Sequence, residues 1–230
     1  ASARAARQAL QTIRLSTRAF SASSATATRR TLRSTRLGAR AFSSFSAPEL
    51  PSHADAVIIG GGSIGTSTLY HLQKLGLNAV LIEGDELTSG TTWHSAGLLW
   101  QLAGMAGQMD TDIEFVQYTR ELVSETLPAE IDGEWAGWVN QGAIFACSRR
   151  ERQISHNRTR LLAQAMYGIE AHDLSPSEAQ KVHPLMRVDD LHSAVYVPGD
   201  GTIDPSALVR AYARAAKQRG AKIFEHTRAT

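Results

Sequence analysis

The sequence DAVIIGGGSIG at residues 55–65 joins a short apolar run to three glycines spaced as GxGxxG. The run is rich in β-branched residues and predicts a buried strand over residues 55–59. Residues 66–75 carry leucines at every third position and end before Gly76, a pattern that predicts a helix. A second apolar run predicts another buried strand over residues 78–82. The stretch therefore predicts a β-α-β unit with the glycines at its first turn.

The glycines of the motif are Gly60, Gly62 and Gly65, and each meets a separate requirement of dinucleotide binding. Gly60 allows a tight turn, Gly62 lets the backbone approach a pyrophosphate, and Gly65 lets the helix pack closely on the strand. The helix N-terminus offers free N–H groups to the same pyrophosphate. Glu83, after the second strand, can accept hydrogen bonds from the adenosine ribose and would repel the 2′-phosphate of NADP. These features predict a dinucleotide site, and the alternative is a flexible glycine loop.

The segment LIEGDELTSGTTWHSAGLLWQL at residues 81–102 has no evident role in a fold that binds NAD. Together with GGGSIG at residues 60–65, it resembles the flavoprotein family of sarcosine dehydrogenase and dimethylglycine dehydrogenase, with the greater likeness to sarcosine dehydrogenase. The resemblance implies that FAD is the cofactor and is bonded covalently through His94; the alternative is a solvent-facing loop histidine. The cofactor-binding residues indicated by the motif and the resemblance together are Gly60, Gly62, Ser63, Ile64, Gly65, Glu83, Gly84, Gly90, Thr91, Thr92, Trp93, His94, Ser95, Ala96, Gly97 and Leu98.

The resemblance also implies a fold class and an activity. The fold is α/β, a Rossmann-type FAD-binding domain interrupted by a mixed α+β substrate lobe. The activity is FAD-dependent oxidative N-demethylation of a small N-methyl amino acid, sarcosine, to glycine, with one-carbon transfer to tetrahydrofolate and electrons passed to electron-transferring flavoprotein. In that family the FAD domain and a folate-binding region extend beyond the position of Thr230. We therefore expect an N-terminal piece that is inactive alone, and we assign no catalytic residue.

Three alternatives to a sarcosine dehydrogenase stay open. Dimethylglycine dehydrogenase shares every cofactor residue named above. The regulatory subunit of pyruvate dehydrogenase phosphatase resembles the same family but performs no redox chemistry, so a flavin-linking residue at His94 argues against it. Bacterial-type amine oxidases share the fold, but the N-terminal segment of this chain disfavours them.

That N-terminal segment, residues 1–48, is rich in Ala, Ser and Thr and contains no lysine or acidic residue. Its nine arginines occupy positions 4, 7, 14, 18, 29, 30, 33, 36 and 40. This composition predicts a mitochondrial transit peptide over residues 1–42, a linker over residues 43–53 and a location in the mitochondrial matrix. We expect cleavage between Phe42 and Ser43 rather than at the similar site near Phe20. The alternatives are a disordered basic tail or a nucleic-acid-binding arm.

The overall charge is set by that segment. The chain has 24 basic and 22 acidic residues, but without the nine arginines 15 basic residues face 22 acidic ones, which gives a net charge of −7. We therefore predict no nucleic-acid partner. No apolar run approaches the ~18 residues of a membrane span. Cys147 is the one cysteine, so no intramolecular disulfide forms, and the histidines have no metal-ligand spacing, so we predict no metal.

The rest of the chain predicts alternating helices and strands. Helices are predicted over residues 112–127, 150–167 and 206–219, and another helix is predicted to begin at Ser175 with a capping box. Strands are predicted over residues 138–146, with a break at Gly142, and over 193–197 and 221–226. A turn-rich loop is predicted over residues 198–205. We assign residues 54–137 to the first part of the FAD domain, 138–198 to part of the substrate lobe and 199–230 to the return to the FAD domain. The strand at 221–226 is expected to rejoin the nucleotide-binding sheet.

Overall fold

The computed structural model describes residues 49–102 and 110–230. The predicted transit peptide at residues 1–42 and most of the predicted linker at 43–53 lie outside the described residues. The strands are β1 (Ala56–Ile59), β2 (Ala79–Ile82), β3 (Leu98–Leu99), β4 (Trp138–Asn140), β5 (Ala143–Cys147), β6 (His172–Leu174), β7 (Ser193–Val197), β8 (Gly201–Ile203) and β9 (Lys222–Phe224). The helices are α1 (Ser63–Lys74), α2 (Asp110–Glu121), α3 (Leu127–Glu130), α4 (Arg150–Tyr167), α5 (Pro176–Val182) and α6 (Pro205–Gln218), with a 3-10 turn at Thr92–His94 and a π-helical turn at Leu122–Thr126.

A parallel sheet in the order β1-β2-β9 carries the predicted β-α-β unit. The pairing of β2 with β9 places Val80 opposite Lys222, so the predicted strand at 221–226 does rejoin this sheet. α1 packs against α6. Leu69 of α1, Leu81 of β2 and Tyr212 of α6 lie in one buried apolar cluster, which holds the glycine turn on a rigid support.

Helix α1 begins at Ser63, three residues before the predicted start at residue 66. Gly62 is its N-cap, so the second half of the glycine motif already forms the first helical turn. The prediction started too late because the leucine pattern marks only the face of the helix that is buried in the core. The first turn faces a cleft instead, and Ile64 in that turn is 83% exposed.

The second sheet is antiparallel, in the order β3-β8-β4. The prediction of a loop over residues 198–205 is therefore wrong for Gly201–Ile203, which form the central strand β8. A Cβ atom on Gly201 would collide with the carbonyl oxygen of Val139 and lie 2.7 Å from the ring of Trp138. A glycine inside a strand often marks such a close backbone approach. The partner strands are distant in sequence, so the local pattern of turn residues did not reveal the strand.

The third sheet is antiparallel in the order β5-β7-β6, and α4 packs on β5 and β7. The predictions of helix 150–167 and strand 193–197 are confirmed at both ends. Gly168 ends α4 with a left-handed φ of 65°. The predicted capping box at Ser175 is present, with hydrogen bonds in both directions between Ser175 and Glu178. The short strand β6 was not predicted.

The helix predicted over residues 112–127 continues past its expected end. α2 is followed by the π-helical turn at Leu122–Thr126 and then by α3, which reaches Glu130. Pro128 lies in the first turn of α3 rather than after the helix. A proline lacks an N–H group, and the first turn of a helix is the place where that group has no intrahelical acceptor. Pro128 is therefore compatible with continuation.

No helix of the described residues has the length and apolar character needed to cross a membrane. Within residues 49–102 and 110–230, no group of three or more His, Cys, Asp or Glu side chains is arranged to hold a metal ion. The division into domain segments at residues 54–137, 138–198 and 199–230 stays a prediction. The pairing of β4 with β8 joins the segment 138–198 to the segment 199–230.

Candidate functional site

A cleft of about 810 Å³ lies where β1 and β2 end and α1 begins. Twelve of the predicted cofactor-binding residues line it: Gly60, Gly62, Ser63, Ile64, Gly65, Glu83, Gly90, Thr91, Thr92, Ser95, Gly97 and Leu98. The remaining four, Gly84, Trp93, His94 and Ala96, are not among the lining residues. The structure thus brings the glycine motif, the acid after β2 and most of the later segment to one place.

The turn between β1 and α1 requires glycine at both of its ends, for two different reasons. A Cβ atom on Gly65 would collide with the carbonyl oxygen of Gly60 and would lie 3.3 Å from the side chain of Ile58. Gly60 itself has a φ of 109°, which L residues with side chains rarely adopt. This close approach of the first helical turn to the strand is the arrangement that the GxGxxG spacing predicts.

Glu83 closes the cleft at the end of β2. Its Oε2 atom accepts a hydrogen bond of 2.6 Å from the N–H of Gly61, and its Oε1 atom accepts one of 2.9 Å from the N–H of Asp85. These backbone donors, that of Asp85 first, lower the pKa of the Glu83 carboxyl. A carboxylate has about four acceptor positions. The backbone N–H groups around Glu83 therefore leave part of its acceptor capacity for the hydroxyl groups of a ligand.

Gly61, in the middle of the motif, also lines the cleft and was not among the predicted residues. A Cβ atom on Gly61 would lie 2.5 Å from Cδ2 of Leu87 and 3.2 Å from Cβ of Glu83. Its N–H group orients the Glu83 carboxylate. The run of three glycines was the available signal, since the GxGxxG pattern leaves the second position free.

The loop that follows Glu83 is tied to the N-terminus of α1 through Thr92. The Oγ1 atom of Thr92 accepts a hydrogen bond of 3.1 Å from the N–H of Ser63, and a Cβ atom on Gly62 would lie 2.9 Å from it. At the other end of the loop, Gly97 accepts a hydrogen bond of 2.7 Å from the N–H of Ile203. The loop is therefore held at both ends against the cleft.

His94 occupies the 3-10 turn within that loop. Its side chain is exposed, and its ring lies on that of Trp93, with 3.6 Å between the ring centroids. Ser95, the next residue, does line the cleft. His94 is thus one position away from the lining.

The cleft has further lining residues that the sequence did not indicate. Asp85, Thr88 and Ser89 lie between the strand end and the predicted loop, and Thr68 is in α1. Ile203, Pro205 and Leu208 come from β8 and α6, more than 100 positions after the glycine motif. A local motif carries no signal for residues that reach the site through tertiary packing.

A glycine turn without side chains, a helix N-terminus aimed at a cleft, and a carboxylate at the end of the second strand define a Rossmann-type dinucleotide-binding protein. The family model of FAD dependent oxidoreductases matches residues 55–230. The chain belongs to this family. The predicted fold class is confirmed.

Similar proteins give the same assignment. The chain is 49% identical over 178 residues to mitochondrial sarcosine dehydrogenase of Homo sapiens. This match covers 77% of the present chain and 19% of the human protein. It is 33% identical over 174 residues to mitochondrial dimethylglycine dehydrogenase of Rattus norvegicus, covering 75% and 20% of the two chains. The crystal structure of L-proline dehydrogenase from P. horikoshii superposes with a TM-score of 0.70 at 25% identity, covering 79% of this chain and 46% of that one. The predicted resemblance to the sarcosine and dimethylglycine dehydrogenases is confirmed, and the chain spans about a fifth of the length of these curated relatives.

Replacing Glu83 by alanine is expected to weaken FAD binding. Loss of hydrogen bonds to a charged group costs about 1–3 kcal/mol, which corresponds to a dissociation constant raised about 5- to 150-fold. Titration of the full-length apo-protein with FAD measures this. Glu86→Ala is the matched control, because Glu86 is an exposed acid near Glu83 that does not line the cleft. Equal dissociation constants for FAD in the Glu83→Ala and Glu86→Ala proteins would show that Glu83 does not bind the cofactor.

The same carboxylate gives a pH dependence of stability. Because its pKa is lowered in the folded protein, its stabilising contribution is complete above its ordinary pKa of about 4.5 and is lost as the pH falls through the lowered value. The Glu83→Gln protein has no carboxyl group at this position, so it should not lose this part of its stability at low pH. We expect the melting temperatures of the two proteins to converge as the pH drops below about 4.5, and parallel curves would contradict the role of the carboxylate.

Proposed function

We propose that the protein is an FAD-dependent amine dehydrogenase that removes a methyl group from sarcosine and produces glycine. The observation that carries the proposal is the cleft, in which the glycine turn, Glu83 and the loop of Thr91 to Ser95 meet. The 49% identity to human sarcosine dehydrogenase over this region supports the choice of substrate. When bound, FAD would accept the hydride from the N-methyl group, and the protein would supply orientation and electrostatics.

The residues of the cleft fit the ADP part of FAD. The N–H of Ile64, in the first turn of α1, has no acceptor within the helix and suits a pyrophosphate, while the N–H of Ser63 donates to Thr92. At Gly61 and Gly62 the space that a Cβ atom would take is filled by Leu87 and Thr92, so glycine lets the turn pack against both side chains. Glu83 would hold the ribose hydroxyls with its remaining acceptor positions. The groups proposed to contact FAD lie in the turn between β1 and α1, in the first turn of α1 or at the end of β2.

The proposed covalent bond between FAD and His94 rests on the position of the residue. His94 lies in the turn that Thr92 fastens to the N-terminus of α1, and the neighbouring Ser95 lines the cleft. A covalent link would retain the cofactor and would place an electron-withdrawing imidazole on the ring. The predicted cofactor-binding roles of Gly84, Trp93 and Ala96 belong to the same proposal.

We further propose where in the cell the protein acts and which partners receive the electrons and the one-carbon unit. The arginine-rich residues 1–42 would direct the protein to the mitochondrial matrix, in keeping with relatives that are named mitochondrial. Electrons would leave through electron-transferring flavoprotein, and the one-carbon unit would pass to tetrahydrofolate bound outside the residues described here.

Two other functions remain in competition. A dimethylglycine dehydrogenase is favoured by the shared cofactor residues but has the lower identity, 33% against 49%. A non-catalytic regulator related to the pyruvate dehydrogenase phosphatase subunit would need neither bound flavin nor a linkage at His94.

Steady-state kinetics of the full-length protein with an artificial electron acceptor separates the three. We expect kcat/KM for sarcosine to exceed that for dimethylglycine at least tenfold. The opposite ratio would establish the dimethylglycine activity. Turnover of neither substrate by protein that contains a full complement of FAD would overturn the enzymatic proposal.

A further inference from the structure

A second cavity, of about 820 Å³, lies apart from the dinucleotide cleft and shares no lining residue with it. Its walls come from the segment after β3, from strands β5 and β7, and from the first half of α4. We call it the arginine cavity and define it by Trp100, Phe145, Arg149, Arg152 and His156. The proposed function gives it no role.

One wall of the arginine cavity is aromatic. The rings of Trp100 and Phe145 meet edge to face, with 5.7 Å between their centroids, and Phe145 meets His156 in the same manner at 6.1 Å. Trp100 is 38% exposed. Accessible aromatic surface of this kind offers a place for a flat ring to pack.

The arginine cavity is also lined by positively charged residues. Arg149 and Arg152 face a single acid, Glu151, among the lining residues. Within residues 49–102 and 110–230, neither arginine takes part in an ion pair or a hydrogen bond with another side chain or with the backbone through its guanidinium group. Guanidinium groups recognise planar carboxylates through paired N–H donors. Both side chains keep their donors available for such a group.

A buried cysteine contacts His156, one of the residues that line the arginine cavity. Sγ of Cys147 lies 3.0 Å from Nδ1 of His156, and Cys147 is fully buried. Burial raises the pKa of the Cys147 thiol, while burial and the nearby Arg152 lower the pKa of His156. Both shifts favour the neutral form of the side chain, so the positive charge of the cavity comes from the two arginines. His156 is held in place as a neutral polar group.

We propose that the arginine cavity binds a small aromatic carboxylate, with the carboxylate on Arg149 and Arg152 and the ring against Trp100 and Phe145. The volume, the aromatic wall and the two unpaired guanidinium groups together define this ligand class. The site is independent of the flavin site and of the proposed activity.

The proposal is tested with 2-naphthoate as the probe, by calorimetric titration of the full-length, flavin-loaded protein at low salt. 2-Naphthamide has the same shape without the charge. We expect naphthoate to bind, naphthamide to bind at least tenfold more weakly, and the double substitution Arg149→Gln with Arg152→Gln to weaken naphthoate at least tenfold. Arg158→Gln is the matched control, since Arg158 lies on the exposed side of α4 and not on the cavity. It should leave the affinity unchanged.

Fluorescence gives a second measurement that does not depend on the arginine variants. Naphthoate should quench the emission of Trp100, and the Trp100→Phe protein should bind the probe with much less quenching. Absence of binding, equal binding of naphthamide, or displacement of naphthoate by saturating sarcosine would each overturn the proposal. Displacement would place the probe at the flavin instead, whereas failure of sarcosine turnover alone would bear only on the proposed function.

Discussion

In the full-length protein, His94→Ala is expected to bind FAD and to release all of it on acid denaturation, whereas the unsubstituted protein keeps its yellow colour on the polypeptide. Binding should persist because the glycine turn and Glu83 are untouched. Attachment should fail because an imidazole is the side chain whose neutral, nucleophilic form is abundant near neutral pH. Turnover should fall rather than vanish, since the flavin and not the histidine accepts the hydride.

Mass spectrometry of peptides from the unsubstituted protein decides the linkage. The flavin mass should be found on a peptide that contains residues 92–95. His183→Ala serves as the control, because His183 is exposed and lies outside the cleft. An unmodified His94 in protein with a full complement of FAD would disprove the covalent bond and leave the dinucleotide site standing.

Gly65→Ala is expected to destabilise the protein by about 3 kcal/mol and to abolish FAD binding, an effect at the upper end of overpacking. The added methyl group would collide with the carbonyl oxygen of Gly60, which is backbone and cannot turn aside. Helix α1 would have to move away from β1, and its N-terminal N–H groups would move with it. Chemical denaturation and FAD titration of the full-length protein measure the two losses.

Gly90→Ala is the matched control for this substitution. Gly90 lines the same cleft, but a Cβ atom there meets nothing within 4 Å. Its free energy of unfolding should stay within about 0.5 kcal/mol of the unsubstituted value. If Gly65→Ala proved as stable as Gly90→Ala, the close packing of α1 on β1 would be refuted.

The sequence predicted the parts of the site that depend on short-range geometry. The turn at Gly60 to Gly65 follows from its own residues, because a side chain at either end would collide or strain the backbone. The capping box at Ser175 is likewise a local matter of hydrogen bonds three residues apart. In both cases the interacting groups are close together in the chain, so the residue types alone are enough to predict the local structure.

The remaining features depend on groups that are distant in sequence. β8 is a strand because β3 and β4 pair with its two edges, and its own residues read as a turn. Ile203, Pro205 and Leu208 line the cleft because α6 packs on α1. Pro128 looked like the end of a helix, and its place at the start of α3 depends on the π-helical turn before it.

The parallel pairing of β2 with β9 has a consequence for the order of events during synthesis. Val80 and Lys222 are about 140 positions apart, so the glycine turn leaves the ribosome long before β9 can pair with β2. Pairing over such a separation is slow, and strands that await a partner are prone to aggregate. We therefore expect cofactor capture to follow the synthesis of β9, and the edge of β2 that β9 covers to be exposed to aggregation until then.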